Sequence, residues 1–233
     1  MSPPVPVLAI DGPGGSGKGT VSRRLATALG WHLLDSGALY RVVALAGQRQ
    51  GLAADDIPGH AALAAELPVR FASRADGGEQ VLWGPQGEDI SDAIRSEEAG
   101  AGASRVAAWP PVRDALLQRQ RSFAVLPGLV ADGRDMGTVV FVAAPLKIYL
   151  TASAEERARR RYNQLKAKDS SVSLAALSRE IAERDARDMG RAVAPLKPAA
   201  DAIEVDSTSL SIDEVVALVL NLARERGLSA GVP

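Results

Sequence analysis

Val7-Leu8-Ala9-Ile10 runs directly into Asp11-Gly12-Pro13-Gly14-Gly15-Ser16-Gly17-Lys18-Gly19-Thr20, and a helical pattern follows from Val21. An apolar strand, a glycine-dense turn and a helix in immediate succession constrain the fold more than any other feature of this chain. Gly12, Gly17 and Lys18 fit the phosphate-binding pattern G-x-x-x-x-G-K-[ST], with Gly19 where a hydroxyl residue is expected. Glycines permit positive φ and let peptide N–H groups wrap phosphate oxygens. The helix start adds its own N–H groups and positive dipole end, and Lys18 adds a mobile cation. Residues 12–20 are therefore expected to bind the phosphates of a nucleoside triphosphate.

Four further apolar segments share the character of Val7–Ile10: Trp31–Leu34, Leu129–Ala131, Lys147–Leu150 and Ala202–Val205. Most lack the alternation of a half-solvated strand and are flanked by helical patterns, as buried parallel strands are. Asp11, Asp35, Asp132, Thr151 and Asp206 follow them directly. Ligands of open α/β sheets bind outside the carboxyl ends of the strands, so these positions should line one crevice. Between the second and third strands the pattern changes. Val69–Ala72, Glu79–Trp83 and Glu88–Ile90 read as short strands separated by Asp76-Gly77-Gly78 and Gly84-Pro85-Gln86-Gly87, which favour antiparallel hairpins. A β insertion is expected at 66–92, inside a core formed by 1–65 and 93–233, with helical segments up to about 126.

Composition narrows the functional classes. With 46% hydrophobic residues in 233, the chain can bury a sheet, which excludes a disordered polymer. A net charge of -1 argues against duplex nucleic acid, which demands a basic surface. There is no cysteine, so thiolate catalysis, disulfides and cysteine–zinc sites are excluded. No positive n-region or long apolar run marks a signal peptide or membrane span, so a soluble cytoplasmic protein is expected, with no membrane partner. Both histidines are expected to be structural, His32 within a strand and His60 in a loop after Ile57-Pro58-Gly59.

The remaining chemistry lies in arginines. Arg157, Arg160 and Arg161 share a helical face by i, i+3, i+4 spacing, and so do Arg184, Asp188 and Arg191. With Lys166-Ala167-Lys168-Asp169-Ser170-Ser171 as a mobile tip between them, the two helices read as a lid at about 155–192 over a polyphosphate. Arg157 and Arg161 are assigned to its triphosphate. A hydroxyl acceptor needs a general base. A phosphate monoester has a second pKa near 6 and is already mostly dianionic at pH 7. Its obstacle is repulsion from the donor, which guanidinium forks relieve.

The ending Gly15-Ser16-Gly17-Lys18-Gly19-Thr20 resembles nucleoside monophosphate kinases. Asp35-Ser36-Gly37-Ala38-Leu39-Tyr40-Arg41, Ser104–Arg113, Ala131–Phe141 and Arg191–Leu196 resemble, more narrowly, the bacterial cytidylate kinases. These matches run in order from about residue 5 to 225. The resemblance implies an α/β P-loop kinase fold: a five-stranded parallel sheet flanked by helices, a monophosphate-binding β insertion and a helical lid. It also implies transfer of the ATP γ-phosphoryl to CMP or dCMP, with Mg2+, by a protein expected to be a monomer. Arg41 and Arg134 would hold the acceptor phosphate, with Tyr40 in the same substrate-binding segment. Ser104, Arg113 and Asp135 would read cytosine, whose N4 amino group donates while N3 and O2 accept. Ser36 and Asp188 would contact the sugar or base edge. Arg184 and Arg191 would reach the transferring phosphoryl, with Lys18 on the ATP side, and Asp132 could orient Mg2+ through water. Gly190, just before Arg191, departs from the pattern and is expected to loosen the lid helix.

Two other readings stay open at this level. One is a small-molecule hydroxyl kinase with Asp35 as base. The other is a nucleotide-dependent switch, against which the lack of an Asn-Lys-x-Asp guanine motif already counts: Asn163 and Asn221 are the only asparagines, and neither precedes a lysine.

Overall fold

The structure, a computed structural model, describes residues 5–73, 79–166 and 173–228. The turn expected at Asp76–Gly78 and the tip expected beyond Lys166 lie outside the described residues. In chain order the elements are β1 (Val7–Asp11), α1 (Lys18–Leu29), β2 (His32–Asp35), α2 (Ser36–Arg49), α3 (Ile57–Ala65), β3 (Val69–Ser73), β4 (Glu79–Trp83) and β5 (Glu88–Asp89). There follow α4 (Glu97–Val106), α5 (Pro110–Ser122), β6 (Leu129–Asp132), β7 (Leu146–Thr151), α6 (Ala154–Lys166), α7 (Leu174–Met189), β8 (Ile203–Asp206) and α8 (Ile212–Glu225). A 3-10 turn precedes α4 at Ala93–Arg95, and a π-helical turn follows β6 at Met136–Val140.

The chain divides into two compact units, one of Met1–Asp35 with Gln120–Pro233 and the other of Ser36–Arg119. The first holds the five-stranded parallel sheet in the order β2-β6-β1-β7-β8. All residues of β1 and β6 are buried, which is why their sequences run apolar without alternation. Leu8, Ile10, Val130, Ile148 and Leu150 pack with Val21 and Leu25 of α1 and with Val215 and Val219 of α8. Each such side chain removed from water contributes about 1.5–3 kcal/mol. Helix α1 stops at Gly30, whose φ of 63° is left-handed, and α8 starts with a capping box between Ser211 and Glu214.

Each of the five strands runs one residue further than its apolar segment and takes in the polar residue at its end. Ile10 pairs with Asp132, Asp35 with Asp132, Asp11 with Tyr149 and Thr151 with Asp206, so these ends do share one edge of the sheet. Asp206 has a local task as well: its Oδ1 accepts from the peptide N–H of Thr208 at 2.8 Å.

The second unit packs α2 against α3 and α4 and carries the antiparallel sheet β3-β4-β5. Val69 pairs with Trp83, and Arg119 donates to Leu67 O and Val69 O, both at 2.6 Å. His60 does not lie in a loop. Asp56 caps α3 by accepting from Gly59 N, and Pro58 sits in the first turn, where its missing N–H is harmless, so Pro-Gly opens a helix there. His60 is buried, donates through Nδ1 to Asp56 O at 2.7 Å and meets the Trp109 ring edge-on.

Candidate functional site

The sheet delivers β1 into the loop 12–17, and two glycines there are obligatory. A Cβ on Gly12, at φ 146°, would stand 2.0 Å from Leu150 O of the neighbouring strand. Gly17 is the N-cap of α1 at φ 92° and has no side chain to occupy the helix start, where an anion is favoured. Lys18 is buried, and its ammonium donates to Pro13 O at 2.8 Å. Ser16 is buried as well, whereas Gly19 and Thr20 are exposed. Burial lowers the Lys18 pKa to about 7, helped by Arg134 and opposed by Asp132 and Asp11.

Beside this loop the first unit gathers its cations. The Nη2 of Arg134 and the Nε of Arg184 come within 3.7 and 3.9 Å of the point where a Cβ on Gly14 would project. Asp188, almost wholly buried near the end of α7, accepts from Arg134 Nε at 3.3 Å and from Arg191. Arg134, Asp188 and Arg191 thus form one hydrogen-bonded cluster, which orders two guanidinium planes through one carboxylate. Asp135, also buried, follows Arg134 at the mouth of the π-helical turn. Asp132 ends β6 with its Oδ2 3.6 Å from the Cβ position of Gly19, and burial raises its pKa to about 7 against the pull of Lys18.

The lid helices differ from the helical-face reading in two respects. Arg157 and Arg160 turn to the loop: Arg157 Nη1 donates to Gly14 O at 3.2 Å and Arg160 Nη1 to Ser16 O at 3.2 Å. Arg161 Nη1 donates to Gln164 Oε1 at 3.3 Å, and burial lowers its pKa against the pull of Glu180. Arg191 is not on the α7 face with Arg184, because α7 ends at Met189. Gly190 is its C-cap and donates to Ala186 O, so this glycine terminates the helix rather than loosening its interior.

Four functional candidates were not signalled by motif. Arg160 and Ser207 tie α6 and the end of β8 to the loop, with Ser207 Oγ 3.2 Å from Ser16 O. Asp185 holds Arg157 at 2.6 Å. Asp11 accepts from two peptide N–H groups. Arg160 lay within the recognised face, but its contacts with Ser16 and Ser207 needed the side-chain directions.

In the second unit, Ser36 opens α2 and is buried, as are Tyr40 one turn on, Ser104 of α4 and Arg113 of α5. Arg113 donates to Ala107 O at 3.1 Å and its guanidinium lies 5.8 Å from the Tyr40 ring centroid, within cation–π range. Arg41 donates to Ile94 O at 2.9 Å and passes 3.5 Å from the Cβ position of Gly100. Ser36, Tyr40, Arg41, Ser104 and Arg113 therefore belong to one unit; Lys18, Asp132, Arg134, Asp135, Arg157, Arg161, Arg184, Asp188 and Arg191 belong to the other.

Among known proteins, the family described as cytidylate kinase matches residues 8–225. The chain is 59% identical over 229 residues to a cytidylate kinase of Stutzerimonas stutzeri, covering 98% of this chain and 100% of that one. It is 61% identical over 216 residues to a cytidylate kinase of Pseudomonas fluorescens, covering 93% and 94%. A solved structure of an uncharacterized protein from Eubacterium ventriosum superimposes with a TM-score of 0.51 at 12% identity, covering 94% of this chain and 98% of that one, a likeness of fold alone.

Proposed function

The chain belongs to the cytidylate kinase family, and from that premise we propose that it transfers the γ-phosphoryl group of ATP to CMP or dCMP, giving ADP and the cytidine diphosphate. The observation that carries this reading is the approach of Arg134 and Arg184 to Gly14 of a glycine loop that also encloses Lys18. Cations, and no histidine, stand at that point, as an acceptor that is already anionic requires.

An oxygen of the CMP phosphate attacks the γ-phosphorus as the bond to the β-phosphate oxygen breaks, and ADP leaves. Lys18 and the loop N–H groups hold the donor phosphates, and Arg184 and Arg191 spread the charge of the transferring group. Arg134 steadies the acceptor phosphate from its own unit. In the other unit, Arg41 is assigned to that phosphate, and Ser36, Tyr40, Ser104 and Arg113 to the nucleoside. Asp135 accepts from cytosine N4. Asp188 acts chiefly by orienting Arg134 and Arg191, which its two oxygens already engage. The β insertion at 66–92 serves the acceptor, and closure of the α6–α7 lid excludes water so that ATP is not hydrolysed without an acceptor.

No cluster of three acidic or histidine side chains capable of caging a metal occurs among the described residues. A Mg2+ ion that keeps its waters and is held mainly by substrate phosphates would fit this arrangement, and Asp132 would be the residue to orient those waters. Its chemistry would be neutralisation of the β- and γ-phosphate oxygens. No described helix is long and apolar enough to cross a membrane.

The test is a panel of CMP, dCMP, UMP, AMP and GMP with ATP and Mg2+, reading the diphosphate formed, with shikimate as a hydroxyl acceptor. CMP and dCMP should be turned over far faster than the others. Preferential phosphorylation of shikimate, or ATP hydrolysis without transfer, would overturn the proposal.

A further inference from the structure

Asp11, the last residue of β1 and the one before the phosphate loop, is buried. Its Oδ1 accepts from Met136 N and its Oδ2 from Gly137 N, both at 2.8 Å. One residue earlier, Ile10 O accepts from Gly133 N at 3.0 Å. Arg134 and Asp135 are therefore bracketed: the peptides before and after them are fastened to two consecutive residues of β1. Beyond them, Asp135 O accepts from Val139 N and Val140 N, which winds the π-helical turn tightly against its first residue. A Cβ on Gly137 would stand 3.4 Å from Asp11 Oδ2 and 3.0 Å from Lys147 Cδ, so the fastening sits in close-packed surroundings.

A buried carboxylate is costly unless its oxygens are satisfied. Here both are spent on backbone at one place, and that place carries the arginine beside Gly14 and the acid assigned to cytosine. We infer that Asp11 is a positioning residue for phosphoryl transfer, holding the Arg134–Asp135 peptide in register with the phosphate loop that begins one residue after it. The inference rests on the proposed kinase reading. It goes beyond that reading by assigning a role to Asp11, whose two oxygens are engaged by the Met136 and Gly137 N–H groups. The consequence is geometric: a small displacement of this peptide moves a phosphate-binding guanidinium and a base-reading carboxylate together, and misplacement near 1 Å can cost on the order of 10²-fold in rate.

Asp11→Asn retains the shape and one acceptor oxygen but sets an NH2 group against a peptide N–H. Wild type and variant are compared for kcat and KM with CMP and UMP, for ATP affinity by equilibrium titration, and for thermal unfolding. We expect kcat with CMP to fall at least about 10-fold, the CMP/UMP ratio of kcat/KM to fall several-fold, and ATP affinity to stay within about 3-fold. If the variant does not fold, Asp11→Glu, which keeps the charge but moves both oxygens by one methylene, must show the same pattern. A lowered Tm with the CMP/UMP ratio unchanged, or a loss of ATP affinity matching the loss of kcat, would overturn the inference. Wild type that turns over no monophosphate would instead overturn the kinase reading itself.

Discussion

Lys18 is held by its own loop through Pro13 O, which keeps its ammonium inside the loop proposed to hold the donor phosphates. Lys18→Ala should lower kcat by at least about 10²-fold while CMP binding stays measurable by titration. Near-normal turnover would remove it from the reaction. Asp135 is the sharper case because its assignment rests on chemistry at the base edge. A buried acceptor that matches the N4 donor of cytosine is left facing O4 of uracil. Asp135→Ala should reduce kcat/KM for CMP by roughly 10- to 10³-fold and that for UMP much less, so that the ratio collapses toward one. Proportional losses for both substrates would mean that Asp135 serves only the winding of its turn. Both residues were recognisable in the sequence. What the sequence withheld was Asp188 as the partner of Arg134: the two lie 54 positions apart, and no spacing rule links them.

At the scale of elements, α6 and α7 are joined by the Arg157–Asp185 ion pair, with side chains only 7% and 13% exposed. Removing one member strands the other in a poorly solvated place. Arg157→Met should therefore destabilise the protein by about 3–5 kcal/mol in urea unfolding, and Arg157→Met with Asp185→Leu should recover much of that loss. A double variant no better than the single would show that Arg157 matters for its contact with Gly14 O instead. The helical periodicity located both lid helices. That Arg157 and Arg160 reach Gly14 O and Ser16 O depended on how α6 lies over the phosphate loop. Helix α3 was missed for a local reason. Pro-Gly usually marks a turn, but after an N-capping Asp56 the proline occupies a first turn in which its φ is already helical.

For the whole molecule, burial has a signature in pH. It raises the Asp11 carboxyl from 3.8 to about 6, against the lowering effect of the Gly137 and Met136 N–H groups. Between about pH 4 and 6 the folded state thus keeps a proton that the unfolded chain has lost, so the contribution of Asp11 to stability falls as pH rises through that window. Relative to Asp11→Asn, wild type should be less favoured at pH 7 than at pH 4.5, by about 2 kcal/mol in unfolding free energy. A difference that does not change with pH would refute this. The sequence by itself determined the strand–loop–helix at residues 7–29, the five parallel strands with their polar ends, and the three antiparallel strands between β2 and β6. All of these follow from short-range facts: apolar runs, glycine conformation and side-chain charge. Only the tertiary structure decided that Asp11 is spent on the backbone after β6, that Asp188 gathers Arg134 and Arg191, and that Arg160 and Ser207 brace the phosphate loop. Those pairings join residues far apart in the chain, and what selects them is the need of each buried charge for a partner once the sheet has brought the strand ends together.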